Sequence, residues 1–171
     1  MRFFRPLKAE EIEIRVSQCN EKGVSLLAYK TARTDAEILD ETVGAENWTC
    51  RFYEINGMLF CSLGVRYEKG GEFVYKDDCG SEGSIEKEKS LASDCFKRAG
   101  FKHGIGRELY SMPFCWVPAD KCNIKQGRNG KPTCFDRFHV QKIIIEDGKI
   151  KAVAIANDSI KKVCYVWQED R

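Results

Sequence analysis

Long apolar runs, a large net charge and a secretion signal are all missing from this sequence. No stretch of about 18 apolar residues occurs, so the sequence predicts no membrane-spanning helix. Its first residues, Met1–Pro6, lack the apolar core of a signal peptide, and we expect the chain to stay in the compartment where it is made. With 28 Lys and Arg against 26 Asp and Glu, the formal net charge is only +2. This excludes binding of nucleic acid through bulk charge, so any such binding must depend on clustered cations.

Sequence motifs of several common enzyme classes are also absent. No glycine-rich loop is followed by Lys and then Ser or Thr, so nothing indicates the use of ATP. No Gly-x-Ser-x-Gly turn predicts a hydrolase nucleophile. Gly104 and Gly106 resemble part of a dinucleotide-binding fingerprint, but they follow a predicted helix instead of opening one. The sequence therefore indicates neither a nucleotide-dependent enzyme nor a serine hydrolase.

The composition is typical of a folded protein with a substantial core. The 171 residues are 43% hydrophobic and 32% charged, which suits one domain of ordinary size. We predict a single domain over residues 1–171, with its core at about 8–118 and a C-terminal β-hairpin extension at about 119–171. The nine cysteines are odd in number and several fall on apolar faces. Reduced core thiols in a cytoplasmic protein are therefore expected.

The N-terminal third is predicted to contain two helices and one short strand. Leu7–Ile12 is predicted to start a helix, and Ser17–Gly23 to form a polar loop. Val24–Tyr29 is an apolar run that favours a strand. Thr31–Val43 is predicted to form the second helix, capped by one of its threonines and ended by Gly44.

Three strands are predicted in the centre of the chain. The first, Trp48–Ile55, alternates between two faces, with Arg51 and Tyr53 on the face opposite Trp48. Asn56-Gly57 is a strong hairpin signal, after which Met58–Tyr67 returns along the first strand. The remaining predicted strands are Phe73–Asp78, a C-terminal hairpin of Phe135–Ile145 with Ile150–Ala156, and a last short strand at 163–167.

A long helix is predicted within Glu86–Tyr110, directly after the third central strand, and Gly104 offers it a left-handed stop. Leu91, Cys95 and Ala99 recur at a spacing of four and mark its buried face. Acidic residues begin this helix and basic residues end it, which matches the helix dipole. The predicted fold class is therefore α+β: an antiparallel three-stranded meander followed by a long helix that covers its apolar face, with flanking N-terminal helices and a C-terminal hairpin.

The basic end of the long helix is the strongest candidate site. Lys97, Arg98 and Lys102, with Arg107 just beyond, are placed to contact successive phosphates of a nucleic acid. The alternative is a solvated basic face that only balances the helix dipole. Composition alone leaves both interpretations open.

The sequence offers two alternative metal sites. Cys115, Cys122 and Cys134, with His139 or His103, could supply four zinc ligands, although no Cys-x-x-Cys pair occurs. A second set could hold magnesium for a nuclease. It consists of the acidic residues beside the long helix, Asp77, Asp78, Glu82, Glu86 and Glu88. Acidic residues are also expected at a helix start, so this cluster is not specific.

Two segments of the long helix carry a resemblance to a known family. Ser93-Asp94-Cys95-Phe96-Lys97-Arg98-Ala99 followed by Gly104-Ile105-Gly106-Arg107-Glu108-Leu109-Tyr110 resembles the signature helix of the Rad-fifty-two family of single-strand annealing proteins, above all the short forms of phages and prophages. Asn47-Trp48, Asp78-x-Gly80 and Arg137-Phe138-x-Val140 support the resemblance in the expected order.

This resemblance implies a non-enzymatic protein without cofactors. Members of the family form rings, bind single-stranded DNA in a basic groove, and anneal complementary strands without ATP in recombination and repair. By motif position, the implied DNA-binding residues are Arg15, Tyr29, Lys97 and Arg98, and Lys102 stands in for a further basic position. The implied partners are single-stranded DNA, further copies of the chain and a single-strand DNA-binding protein, in the cytoplasm of a bacterial host, with the chain encoded by a phage or prophage.

Three hypotheses therefore follow from the sequence. The first is an ATP-independent annealing protein. The second is a metal-dependent nuclease or a zinc-containing nucleic-acid enzyme, which would contain stoichiometric metal or cleave DNA with magnesium. The third is a binding module whose basic helix end contacts only a protein partner.

Overall fold

The fold is known from a computed structural model that describes residues 3–80 and 87–170, and residues 87–89 by their backbone alone. Two α-helices lie in this part of the chain, α1 (Ala32–Val43) and α2 (Lys87–His103). The strands are β1 (Glu13–Asn20), β2 (Gly23–Tyr29), β3 (Trp48–Ile55), β4 (Met58–Val65), β5 (Val74–Cys79), β6 (Cys115–Pro118), β7 (Ile124–Gln126), β8 (Pro132–Cys134), β9 (Phe138–Glu146), β10 (Lys149–Asn157) and β11 (Lys162–Gln168). Short 3-10 turns are Ala9–Glu11, Ala45–Asn47, Arg107–Ser111 and Ala119–Lys121.

The chain divides into two compact units. One, called the helix–sheet unit here, contains Thr31–Arg107 and the N-terminal arm up to Arg5. The other, called the barrel-like unit, contains Pro6–Lys30 and the chain from Glu108 onward. In sequence, the helix–sheet unit is therefore an insertion between two parts of the barrel-like unit. The sequence predicts a single domain over residues 1–171. That the two units behave as one domain stays a prediction.

The helix–sheet unit contains an antiparallel sheet in the order β3-β4-β5. Asn56 and Gly57 both have positive φ, 52° and 78°, as the tight turn between β3 and β4 requires. Leu63 and Val65 of β4 are fully buried, as is Cys95 of α2. The Cys95 thiol donates to the Leu59 carbonyl at 3.1 Å, so α2 covers the face of the sheet to which odd-numbered β4 side chains point.

Local sequence signals explain both ends of α1. The Thr31 hydroxyl accepts a hydrogen bond from the Thr34 amide at 3.2 Å, which satisfies one of the free amides of the first turn. Ile38 and Leu39 are fully buried and fix the inner face of the helix. Gly44 follows with φ of 88°, a conformation that favours glycine.

The barrel-like unit is built on a six-stranded antiparallel sheet in the order β11-β10-β9-β1-β2-β6. Its two ends approach each other, since the Tyr165 hydroxyl on β11 donates to the Phe114 carbonyl just before β6 at 3.1 Å. The sheet is therefore nearly closed, like a small barrel. Buried apolar side chains of this unit include Val24, Val117, Ile150, Val153 and Ile155.

The predicted fold class is wrong. Most regular structure in the described chain is strand, and a six-stranded, nearly closed sheet stands where a C-terminal hairpin extension was expected. The β3-β4-β5 meander and α2 exist, but they form only one of two units. No α-helix precedes β1 in the described residues, because Ala9–Glu11 makes a single 3-10 turn and the residues predicted as a polar loop complete the β1–β2 hairpin.

The physical reason for the error is the pattern of β1. This strand is mostly exposed or half-buried, and its register slips between Val16 and Gln18. A strand is predicted from a regular alternation of apolar and polar residues, and in β1 this alternation is interrupted. The stretch Glu86–Tyr110 is not helical to its end: α2 ends at His103, and Gly104 follows with φ of 109° as the left-handed stop predicted there. Its predicted start at Glu86 lies outside the described residues.

No helix in the described ranges, 3–80 and 87–170, is long and apolar enough to cross a membrane.

Candidate nucleic-acid interface

Two cations of α2 converge on one carboxylate of β5. Arg98 Nη2 lies 3.4 Å from Asp78 Oδ1, and Lys102 Nζ lies 3.4 Å from Asp78 Oδ2. The spacing of four places both cations on one face of the helix. Both side chains are 45% exposed, whereas that of Asp78 is 15% exposed. Two solvent-facing cations thus share one recessed carboxylate, and we call these three residues the cationic cluster.

The C-terminal end of α2 holds two further cations beside the cationic cluster. Lys76 Nζ donates to the Lys102 carbonyl at 2.9 Å. Arg107 donates from Nε to the Phe101 carbonyl and from Nη2 to the Lys102 carbonyl, each at 2.7 Å. These carbonyls carry the negative end of the helix dipole, which both cations stabilise. The contacts of Arg107 are therefore those of a cation that balances the helix dipole.

Lys97 lies apart from the convergence of Arg98 and Lys102. Its ammonium is 4.0 Å from Asp94, one helical turn earlier. Such a pair is at the limit of a salt bridge and contributes little to stability. The structure therefore brings Arg98 and Lys102 together, while Lys97 occupies a neighbouring helix position.

Arg15 and Tyr29, the other two predicted site residues, lie in the barrel-like unit. Arg15 lies within β1. Its guanidinium carbon is 5.7 Å from the Tyr29 ring centroid, within range of a cation–π contact. The Tyr29 hydroxyl donates to the Glu13 carboxylate at 2.5 Å, and this bond raises the pKa of Tyr29. The two predicted residues are thus brought together in one strand pair.

Arg15 also lines a groove within the barrel-like unit. Strands β1 and β9 share a single residue pair, Glu13 with His139, so they separate on one side. The groove between them has a volume of about 820 Å³ and is also lined by Arg137 and His139. Carboxylates line it as well, including Glu13 and Asp136, so its charge is mixed.

The open face of the three-stranded sheet is a surface that the sequence reasoning did not assign to function. Even-numbered β4 side chains point away from α2, and their cross-strand neighbours include Tyr53 on β3 and Tyr75 on β5. The rings of Tyr53 and Phe60 stack at a centroid distance of 5.5 Å. The Arg51 guanidinium lies 5.3 Å from the Tyr75 ring centroid. We call Arg51, Tyr53, Phe60 and Tyr75 the aromatic face.

Gly64 explains how Tyr75 lies on this sheet. A Cβ atom at Gly64 would be 2.5 Å from Cε1 of Tyr75, so the ring lies directly against the β4 backbone. The alternation of Arg51 and Tyr53 along β3 was visible in the sequence, but the glycine opposite Tyr75 could only be placed once the register was known.

Asp77 lies between the aromatic pairs of this face. It accepts a hydrogen bond from the Tyr53 hydroxyl at 2.8 Å. Its pKa is lowered, first by a hydrogen bond from the Ser62 side chain, with further contributions from Tyr53, Lys102 and Arg51. The carboxylate is therefore ionised and held by donors, as is expected for a positioning group and not for a free metal ligand.

Residues predicted as possible metal ligands make other hydrogen bonds or have a pKa that disfavours metal binding. Among the residues that the structure describes, no group of three or more His, Cys, Asp or Glu side chains could hold a metal. His103 is held by the Tyr67 hydroxyl at 2.6 Å and the Leu63 carbonyl at 2.8 Å, and burial lowers its pKa. Burial raises the pKa of Cys115 and of Cys122 to about 11, which opposes the thiolate form that zinc requires.

The acidic cluster proposed for magnesium is also only partly visible. Asp77 accepts a hydrogen bond from Tyr53, and Asp78 forms ion pairs with Arg98 and Lys102. Glu82 and Glu86 lie outside the described residues, as does the side chain of Glu88. The described part of the cluster gives the nuclease hypothesis no support.

The chain is similar to proteins named for binding single-stranded DNA. It is 34% identical over 97 residues to the single-stranded DNA-binding protein DdrA of Deinococcus radiodurans, a match that covers 56% of this chain and 45% of the relative. It is 33% identical over 94 residues to the protein of the same name from Deinococcus deserti, covering 54% and 45%. The chain thus spans less than half the length of these curated relatives. No model of a protein family matches it, and no solved structure does.

Proposed function

We propose that this chain binds single-stranded DNA and anneals complementary strands without ATP, as an oligomeric ring acting in recombination and repair. The observation that carries the proposal is the convergence of Arg98 and Lys102 on the single carboxylate of Asp78. The similarity to single-stranded DNA-binding proteins supports the ligand. The resemblance of α2 to the Rad-fifty-two signature supports the finer assignment to annealing and to that family.

The cationic cluster has the charge and exposure that a phosphate site needs. Its two cations outnumber its one carboxylate, so a positive charge remains for a ligand. Both cationic side chains stay substantially exposed while bound to Asp78, so a phosphate can reach them without moving the backbone. Contacts with the phosphate backbone of DNA do not depend on base sequence, and they leave the bases available for pairing with a second strand.

The proposed DNA-binding residues are Lys97, Arg98 and Lys102 in the helix–sheet unit, and Arg15 and Tyr29 in the barrel-like unit. A weak site of this size gains avidity when many copies in a ring hold one strand. The low net charge of each chain is therefore compatible with binding. We further propose that the chain acts without a cofactor, in the cytoplasm of a bacterial host, as a phage or prophage product.

Annealing of two complementary labelled oligonucleotides tests this function directly. The reaction is run without ATP and without divalent metal, at two salt concentrations. We expect annealing to be faster than the spontaneous reaction at low salt and to slow at high salt, because phosphate binding is driven by counterion release. Binding without acceleration would limit the function to strand binding. Cleavage of the strands in a parallel reaction with magnesium would favour the nuclease instead.

Replacing Asp78 by Asn is predicted to strengthen binding of single-stranded DNA. The change removes the carboxylate that competes with phosphate for Arg98 and Lys102, while the amide keeps the size of the side chain. We expect the affinity to rise about two- to tenfold, since a partly exposed ion pair contributes on the order of 1 kcal/mol. Fluorescence anisotropy with a labelled oligonucleotide at fixed salt measures the change.

Asp120→Asn is the matched control, because it removes the same charge from an exposed position of the barrel-like unit. It corrects for the general gain in net charge. If Asp78→Asn binds no better than this control, the cationic cluster is a structural ion-pair network and the site assignment is wrong.

A further inference from the structure

We propose that the aromatic face is a platform on which bases of single-stranded DNA stack. This inference rests on the proposed function. It adds a binding surface for the bases, since the cationic cluster is proposed to bind only the phosphates. The occupant is a single strand and not a duplex, because stacking between neighbouring base pairs in a duplex covers the base faces that such a platform would contact.

The rings of the aromatic face are available to a ligand. Tyr75 is 45% exposed and Tyr53 is 37% exposed, although each lies in a strand that is paired with β4. Neither ring can collapse inward, because Tyr75 already rests on the backbone at Gly64 and Tyr53 already stacks on Phe60. The rings are therefore held in place by the sheet and keep one surface towards solvent. Such rings can accept a base with little loss of conformational entropy.

The rows of the sheet set the spacing of the platform. Tyr53 and Phe60 form one cross-strand row, and Gly64 with Tyr75 forms another, four residues further along β4. This separation is about 13 Å at the usual rise of a strand. Arg51 lies between the two rows, opposite Ser62, with its guanidinium over Tyr75. A guanidinium in this position can extend a stack or contact a phosphate between two bases.

The aromatic face and the cationic cluster meet at β5. Asp77 points to the aromatic face and Asp78 to the cationic cluster, as successive residues of a strand do. Lys102 Nζ also donates to the Asp77 carbonyl, so this cation reaches across the strand between the two surfaces. The charge of the cluster complements the phosphates of a strand whose bases lie on the rings. This complementarity favours nucleic acid over a second copy of the chain as the occupant.

An oligonucleotide without bases provides the test. The full chain is titrated with a labelled oligonucleotide and with one of equal length whose central residues are abasic. We expect the wild type to bind the abasic strand at least about tenfold more weakly, since stacking on one aromatic side chain is worth about 5- to 150-fold in affinity per base and the platform has two exposed tyrosine rings. Tyr75→Ala and Tyr53→Leu should each reduce this preference, and their salt dependence should stay unchanged because no phosphate contact is lost.

Tyr53→Phe is the matched control, because it keeps the ring and removes only the hydroxyl that bonds Asp77. It should retain the preference for the strand with bases. Equal binding of both strands by the wild type would overturn the platform while leaving the proposed function intact. Binding of neither strand would overturn both. An unchanged preference in the ring variants, with an altered oligomeric state in light scattering, would identify the face as a contact between copies instead.

Discussion

A double variant with Arg98→Ala and Lys102→Ala is expected to bind single-stranded DNA about a hundredfold more weakly than the wild type. Hydrogen bonds to charged groups contribute about 1.5–3 kcal/mol each, so two lost phosphate contacts account for a loss of this size. The change also leaves the Asp78 carboxylate without its two cations, and its charge then repels the strand.

Salt dependence identifies the cause of this loss. Affinity is measured by anisotropy over a series of salt concentrations. Each lost phosphate contact on a single strand should reduce the slope of the logarithm of affinity against the logarithm of salt by about 0.7, or about 1.4 for two contacts. Circular dichroism checks that the variant is folded.

A second double variant, Arg33→Ala with Lys69→Ala, removes the same charge from exposed positions of the same unit. It should weaken binding by less than about threefold, because both charges are exposed, lie outside the cationic cluster and are screened at physiological ionic strength. Equal losses in the two double variants would show that only net charge matters, and the cationic cluster would then not be the binding site.

Leu63→Ala is expected to lower the free energy of unfolding by about 3–4 kcal/mol. Leu63 is fully buried in the central strand of the helix–sheet unit. Truncation removes buried apolar area and leaves a cavity that the neighbouring sheet and helix cannot close. The same sheet carries the aromatic face and supports α2. When the variant is heated, it should therefore lose DNA binding at the temperature at which it unfolds. Urea denaturation measures the effect.

Ile55→Ala is the matched control for this prediction, because it removes the same number of carbon atoms from a side chain that is 47% exposed. Its cost should be below about 1 kcal/mol, as is usual for exposed positions. A comparable loss in both variants would mean that Leu63 is not at the centre of a rigid core.

The helix–sheet unit could be predicted largely from local signals. Asn56-Gly57 marks its hairpin, Thr31 and Gly44 mark the ends of α1, and the spacing of Cys95 and Ala99 marks the buried face of α2. Each signal acts within a few residues. The six-stranded sheet could not be predicted in this way, because β2 pairs with β6 from far along the chain and β1 lacks a clear apolar alternation.

The candidate site shows the same division. The spacing of Arg98 and Lys102 placed both cations on one helix face from sequence alone. Their shared partner Asp78 depended on how β5 lies beside α2, which no local pattern contains. Arg15 with Tyr29 was implied by the resemblance, and the structure joins them through the register of β1 with β2. Whether all these residues hold DNA stays a prediction.

The insertion of one unit within the other has a consequence for the order of folding. Roughly 85 residues separate the end of β2 from the start of β6, its partner in the sheet. Joining these strands across an unstructured loop carries an entropic cost that grows with the logarithm of loop length. If the intervening segment has already folded, the effective loop is much shorter and this cost falls. During synthesis, the helix–sheet unit is also complete before β6 emerges. The cationic cluster and the aromatic face would then form first, and the barrel-like sheet would close last.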